Sequence, residues 1–502
     1  MLSIQKHLKN SFYAILALPA TAMGLGLSVQ IAALSWLLTY KYGLEIGDIG
    51  LVWATGPIAG IVGQVIIGII SDNVWVMNGR RRVFILVGGV LASLMLLALP
   101  NIGIIQASLG IEGILGIAIL VSMVLDLSIN VSFNPTRAII ADVTPPGRER
   151  TKGYTWMQTV SGSFGVLSYG IGAIFGNIPL LYIGAGLVLV FSIIPPFFIE
   201  EPRELSGGSR ENGELDENGG LDENGDLDPK VNKQGDSVNR SSFSQVLPEI
   251  RPLWGFLGYG FYAIIRRLTG LEVSGYAVEI VALLVTIILV AEALLKKEHL
   301  LPSAEAGKAG FRKVLAAHSF SWIGVQSMFI YMFSFVEFRI PDLPNEDAIA
   351  TVLNWSFFSL NLVAAIIPVL LLEPMAARFG RVRTHAWSLL VMTLGYGLIF
   401  TAGNSPWTLY FFMMVVGIGW ASIISLPFAI MSQKISQEQM GMYMGLFNLS
   451  VVLPQLVSSF AIGDLMGDVA NKSVLMLVCL VSVFISAVLW FSVHEERYRE
   501  SG

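Results

Sequence analysis

Asp126 and Arg137 stand eleven residues apart in a stretch, Leu120 to Ile140, that is otherwise apolar enough to lie in a bilayer. A charge at a helix centre costs at least ~2.5 kcal/mol by insertion scales, so a chain keeps one where it faces a cavity, a partner or an ion path. At about 100° per residue, Asp126, Asn130 and Arg137 fall within roughly 40° of one helix face, with Asn134 near its edge. A carboxyl group on such a stripe can load a proton from one side and release it on the other, and in either state it hydrogen-bonds a hydroxyl. At 1.5 Å per residue Asp126 and Arg137 are about 16 Å apart along one helix. Each therefore needs a partner on another helix, in water or in a substrate, unless the backbone bends at Pro135.

The rest of the chain supplies the frame for these groups. Of 502 residues, 54% are hydrophobic and 13% charged, which fits a polytopic membrane protein and excludes a soluble enzyme. The apolar runs are continuous, about 18 to 25 residues each, long enough to cross ~30 Å of hydrocarbon as helices; strands of a β-barrel would alternate instead. They predict spans over 11–38, 48–70, 83–105, 112–140, 154–176 and 179–198, then 314–338, 349–372, 384–403, 406–432, 440–462 and 471–493. Residues 1–199 form one six-helix half and 297–502 the other. Between them lie a stretch at 200–250, read as a disordered cytoplasmic loop, and 251–296, read as an extra helical hairpin (Pro252 to Ile265 and Gly275 to Leu295). The expected fold is all-α and polytopic, with about 14 membrane segments.

Charge sets the orientation. Lys6, Lys9, Arg80 to Arg82, Arg148, Arg150, Lys152, Arg378, Arg381, Arg383, Arg497 and Arg499 all fall on one side, which the positive-inside rule makes cytoplasmic, termini included. The other side carries little beyond Lys41, Arg339 and Lys472, although a hairpin puts Arg266 and Arg267 there against the rule. The net charge of 31 − 36 = −5 reflects acidic residues gathered between Glu200 and Asp228, so nucleic-acid binding has no support. That stretch repeats Leu-Asp-Glu-Asn-Gly but fails as a calcium loop, because Leu227 stands where glycine is needed and Lys233 where a glutamate is. The single cysteine, Cys479, reads as a packing residue, and the first apolar run continues past Ala20-Thr21-Ala22 to Leu38, so it reads as a retained helix.

An internal repeat is visible. Asp72 precedes Gly79-Arg80-Arg81-Arg82 by seven residues and Glu373 precedes Gly380-Arg381-Val382-Arg383 by seven, an offset of 301. Asn134-Pro135-Thr136-Arg137-Ala138-Ile139 likewise matches Ser425-Leu426-Pro427-Phe428-Ala429-Ile430. Parallel repeats of this kind mark transporters with a site between the halves near the midplane. The second copy has no charge matching Asp126 or Arg137, which places any ion coupling in the first half.

On these residues the chain resembles the major facilitator superfamily, and more narrowly its sucrose-transporter branch, related to the glycoside, pentoside and hexuronide symporters. The resemblance rests on Trp53-Ala54-Thr55-Gly56-Pro57-Ile58-Ala59-Gly60 with Gln64, on Gly68 to Asp72 with the arginine loop, on Asp126 through Arg137 to Ala141-Asp142, and on Leu426-Pro427-Phe428-Ala429 with Gly445 to Gln455. It implies a twelve-helix alternating-access fold that takes up a disaccharide or related glycoside with a proton. It also implies that Asp126 is the proton-titrating, sugar-contacting carboxylate and that Arg137 supports it. The chain departs from the pattern at Val65, at the 252–295 insert and over Glu337 to Asn345.

Read from the residues alone, a sugar site needs amides and carboxylates for hydroxyls and aromatic faces for C–H surfaces. Candidates at span depth are Gln30, Gln64, Asp126, Asn130, Gln158, Gln326, Asn361, Asn448 and Gln455, with Trp156, Trp322 and Trp420. Asp72, Arg80, Arg81, Arg82 and Asp142 read as a cytoplasmic clamp between helices, and His318 and His385 as solvated or capping residues near helix ends. No nucleotide loop, metal cluster or nucleophile motif is present, so neither an enzyme nor a bound cofactor is expected, and the coupling ion is a proton. The expectation is a monomeric transporter in the cell (plasma or inner) membrane whose partners are a sugar and lipid. The alternatives are a proton-coupled drug antiporter of the same fold, with an aromatic-lined cavity, and a non-transporting sugar sensor.

Overall fold

The computed structural model describes residues 3–61, 75–77, 79, 81–145, 148–201, 248–271, 273, 275–435 and 440–495. In hydrocarbon every backbone N–H and C=O must be paired within its own segment, and these apolar runs answer with helices. The first half comprises α1 (Asn10–Trp36), α2 (Ile46–Trp53), α3 (Arg82–Ala98), α4 (Leu115–Val143), α5 (Arg148–Phe175) and α6 (Asn177–Phe198). After α7 (Trp254–Thr269) and α8 (Ala277–Leu295), the second half comprises α9 (Ser303–Arg339), α10 (Glu346–Ile367), α11 (Arg381–Ala402), α12 (Pro406–Ser432), α13 (Met440–Val457) and α14 (Val474–Trp490). Local chemistry sets several ends and bends. Ser405 caps α12 through the Thr408 N–H, with Pro406 in the first turn where no N–H is needed. Proline at 454 removes a helical donor, and one turn later α13 widens into the π turn Ser458–Ile462, where the Ser458 hydroxyl lies 3.3 Å from the Pro454 carbonyl.

Small residues let the helices of each half approach. A Cβ at Gly24 of α1 would lie 2.6 Å from Ser161 Oγ of α5, and Gly88 of α3 rests on Ser132 of α4. The internal repeat reappears as matched charge at both ends of α3 and α11. The Glu201 carboxylate accepts from the N–H groups of Arg81 and Arg82 at 2.9 and 3.0 Å, and Glu495 accepts from those of Arg381 and Val382 at 2.6 and 3.2 Å. At the other ends, Lys41 Nζ donates to the Pro100 carbonyl and Arg339 to those of Phe400 and Thr401. Anions at helix N-termini and cations at C-termini complement the helix dipole. Lys41 and Arg339 at the far end are thus helix caps.

Three expectations change. Helix α9 begins eleven residues before the predicted 314, because Lys308 and Arg312 pair with Glu249 and Lys313 with Glu298, which lets a charged turn extend the helix. Helix α5 likewise starts at Arg148 rather than 154. Of the acidic stretch read as a loop, residues 202–247 lie outside the described residues, while its two ends are ordered: Glu201 caps α3 and Glu249 anchors α9.

Helices α7 and α8 form a hairpin on the outside of the second half, α7 against α13 and α8 against α9. Ile280, Leu283, Leu284, Ile287 and Ile288 of α8 are exposed. Arg266 and Arg267 both pair with Asp464 beyond α13, the latter at 2.7 Å, and this neutralisation explains how two arginines stand where the charge rule disfavours them. Removing residues 251–296 should therefore lower the melting temperature of the purified protein while leaving substrate affinity nearly unchanged. A well-folded deletion with a large loss of affinity would put the hairpin in the binding site.

Candidate functional site

Asp126 is 4% exposed and sits where α1, α2 and α4 meet. Gln30 of α1 donates from Nε2 to its Oδ1 at 3.0 Å, and the Thr55 hydroxyl lies 2.8 Å from its Oδ2. Gly56 faces the carboxyl, and a Cβ there would touch Oδ2 at an ordinary contact distance of 3.5 Å. Thr55 Oγ is also 2.7 Å from the Val52 carbonyl, and a hydroxyl has one proton to place. Toward an ionised Asp126, Thr55 donates. Toward a protonated Asp126 it accepts and turns its own proton to Val52. The cluster is therefore satisfied in both protonation states without moving a backbone. Thr55 was not singled out from the sequence; its one signal was membership of the Trp53-to-Gly60 motif.

Asn130 Nδ2 bonds the Asp126 carbonyl one turn back at 2.8 Å. A Cβ at Gly60 would lie 3.8 Å from Asn130 Oδ1 and 3.5 Å from Val452 of α13, so this point joins the first-half polar stripe to the second half, between Asn448 and Gln455. Gln455 Nε2 donates to Gln326 Oε1 at 3.1 Å, tying α13 to α9. Trp420 Nε1 donates to Asn361 Oδ1 at 3.3 Å. Trp322 and Phe329 stand edge-on to the Trp420 ring, with centroids 5.9 and 5.5 Å away. Each half thus contributes a different chemistry: a carboxyl with amides and a hydroxyl from the first, aromatic faces with amides from the second.

The remaining candidates scatter. Arg137 is exposed and lies 4.0 Å over the Phe133 ring, with no carboxylate partner among the described residues. Helix α4 continues unbroken through Pro135 to Val143, which keeps Arg137 about three turns along the helix from Asp126. Gln158 is exposed and Asn448 half-buried, neither with a hydrogen-bond partner among the described residues. Trp156 packs into a separate apolar cluster with Phe12, Tyr13 and Leu16. Gln64, Asp72 and Arg80 lie outside the described residues. Of the clamp, Arg81 Nε and Asp142 Oδ2 are 3.1 Å apart with both side chains nearly buried, and Arg82 donates to the Ile199 carbonyl at 2.6 Å. The two histidines are neither solvated nor caps. His318 and His385 are 2% and 0% exposed, because the early start of α9 puts His318 deep inside that helix and α14 covers His385 with Trp490.

The two halves are joined at the end remote from the arginine loops. Trp36 Nε1 donates to the Glu346 carbonyl at 2.8 Å, and Asn354 Nδ2 to Asn177 Oδ1 at 2.8 Å. Gly172 of α5 packs on the Asn354 amide, and Gly50 of α2 on the Ser459 carbonyl. At the basic end, Tyr13–Glu149 and Arg81–Asp142 stay within the first half, and Lys434–Glu298 and Lys313–Glu298 within the second.

Comparison with known proteins agrees with this architecture. The profile of the Major Facilitator Superfamily matches residues 16–341 and 343–501. The chain is 28% identical over 179 residues to sucrose transport protein SUC4 of Arabidopsis thaliana, covering 34% of each chain. It is 26% identical over 214 residues to the general alpha-glucoside permease of Schizosaccharomyces pombe, covering 39% of this chain and 38% of that one. It thus spans little more than a third of the length of these curated relatives. Among solved structures, nucleoside transporter NupG has a TM-score of 0.58 at 11% identity over 97% of this chain and 98% of that one. Peptide transporter POT in complex with sulfate has a TM-score of 0.61 at 14% identity over 96% and 94%. At such identities the likeness is one of fold. Because the family match runs nearly end to end over a bundle of long apolar helices, the chain belongs to the Major Facilitator Superfamily and is an integral membrane protein.

Proposed function

We propose that this protein takes up a neutral disaccharide or related glycoside together with a proton, by alternating access, and that Asp126 carries the proton. The observation that carries this reading is the Gln30–Asp126–Thr55 cluster, a buried carboxyl satisfied with or without its proton. A protonated Asp126 donates as well as accepts, as a sugar hydroxyl requires of its partner. Asn130, Gln326, Asn361, Asn448 and Gln455 serve the remaining hydroxyls, and Trp420 offers a ring face to the C–H surface. Two relatives, a sucrose transport protein and a general alpha-glucoside permease, favour the same substrate class.

With the arginine loops on the cytoplasmic side, the joined end faces outward. Uptake then requires the outward end to part. Proton and sugar bound together favour the reorientation by linkage. Binding and uptake by the purified, reconstituted protein should respond to at least one of sucrose, maltose, trehalose or simple hexoses, with uptake driven by an inward proton gradient. Failure of every sugar to shift the melting curve or to enter proteoliposomes would sink the glycoside reading.

A further inference from the structure

One buried polar cluster has no part in the proton chemistry above. His318 of α9 and His385 of α11 flank Trp490 of α14, with ring centroids 6.5 and 4.5 Å from it. The His318 ring stacks on Phe447 of α13 at 4.9 Å and 13°, which fixes its plane. His385 Nδ1 pairs with Ser422 Oγ of α12 at 2.6 Å. Trp322 Nε1 lies 2.9 Å from His318 Nε2. An indole N–H donates and never accepts, so His318 Nε2 must present a lone pair. The His318 ring is therefore neutral, with its proton on Nδ1. The chain of contacts continues outward: Trp322 stands edge-on to Trp420 at 5.9 Å and 83°, and Trp420 donates to Asn361.

We propose that His318 is a positioning residue for substrate: as a neutral acceptor clamped by Phe447, it sets the orientation of Trp322 and, through it, the Trp420 face of the second-half site. This rests on the glycoside reading for the identity of the substrate, but not for the histidine–indole bond. Trp322 follows His318 by one helical turn, so the bond selects one indole orientation among those the helix permits. A wrong orientation removes the edge that holds Trp420 over the site.

The test compares His318→Leu, which removes the acceptor, with His318→Gln, which keeps one, and with Trp322→Phe, which removes the donor. Ultraviolet resonance Raman reads the hydrogen-bonding of the indole N–H without any substrate, Trp322→Phe assigning the band. In His318→Leu the band should move to the unbonded position and KM should rise about tenfold, as loss of one hydrogen bond implies, with kcat changed less. His318→Gln should recover both. An unshifted band in folded His318→Leu, or His318→Gln as defective as His318→Leu, overturns the proposal. Should His318→Leu not fold, the other two variants decide. A bonded band and normal KM in His318→Gln with a raised KM in Trp322→Phe supports it, and a normal KM in Trp322→Phe overturns it. If the wild type binds no sugar, the glycoside reading fails, while the Raman comparison still decides what His318 does to Trp322.

Discussion

Asp126→Asn is expected to abolish proton-driven accumulation, bringing the steady-state ratio of internal to external sugar to about one, while the protein stays folded and still exchanges sugar across the membrane. The fold should tolerate the change because the asparagine oxygen can accept from Gln30 and its amide can donate to Thr55, the partners that lie 3.0 and 2.8 Å from the carboxylate. What the variant lacks is a group that binds and releases a proton. The sugar therefore no longer carries a proton with it, and only its own gradient drives net movement. Uptake by proteoliposomes under an imposed proton gradient, beside counterflow without one, separates the two behaviours. If the variant still concentrated sugar with a normal pH dependence, the coupling role would have to pass to another residue.

Gly50→Val should trap the protein away from the conformation described here. A Cβ at Gly50 would run into the Ser459 backbone carbonyl and lie 2.7 Å from the Tyr331 hydroxyl, which itself donates to the Ser458 and Ser459 carbonyls at 3.2 Å. Backbone on the far side of the contact cannot swing away as a side chain would. Overpacking of this kind costs about 1–3 kcal/mol, and it falls only on the state in which α2 meets the end of α13. Every 1.4 kcal/mol is a factor of about ten, so the population should shift about tenfold to a hundredfold toward forms parted at that end, with turnover falling accordingly. Spin labels at Lys41 and Glu346, on the first and second halves at this end, should report a longer mean separation. Unchanged distances and normal transport in a folded Gly50→Val protein would contradict this account of the joined end.

Much of the molecule was legible along the chain because the relevant physics is local. A run of apolar residues forms a helix in hydrocarbon wherever it lies, and a charge inside such a run stands out against its neighbours. Asp126 and the helices around it therefore stand out along the sequence, and so do two arginine loops that repeat 301 residues apart. Thr55 was not distinctive, because a threonine in an apolar span is common and its partner is 71 residues away. His318 was misplaced because the hydropathic run stops near residue 314, whereas the helix continues back to Ser303 on charges neutralised by Glu249 and Glu298. Arg266 and Arg267 looked out of place until Asp464, close to 200 residues on, came beside them.

The sequence by itself determined the class of protein, the helical character of its apolar runs, and the position of two charges in α4, since each follows from burial cost and helical period within one segment. Tertiary structure alone decided what those charges meet: that Asp126 is held by Gln30 and Thr55, that Arg137 rests on Phe133, and that two histidines are buried against Trp490. It also decided which end of the bundle joins the halves, through Asn354 on Asn177 and Gly50 on Ser459. Such pairings depend on how glycines and serines let distant helices approach, and that is a property of two surfaces together, written in neither segment alone.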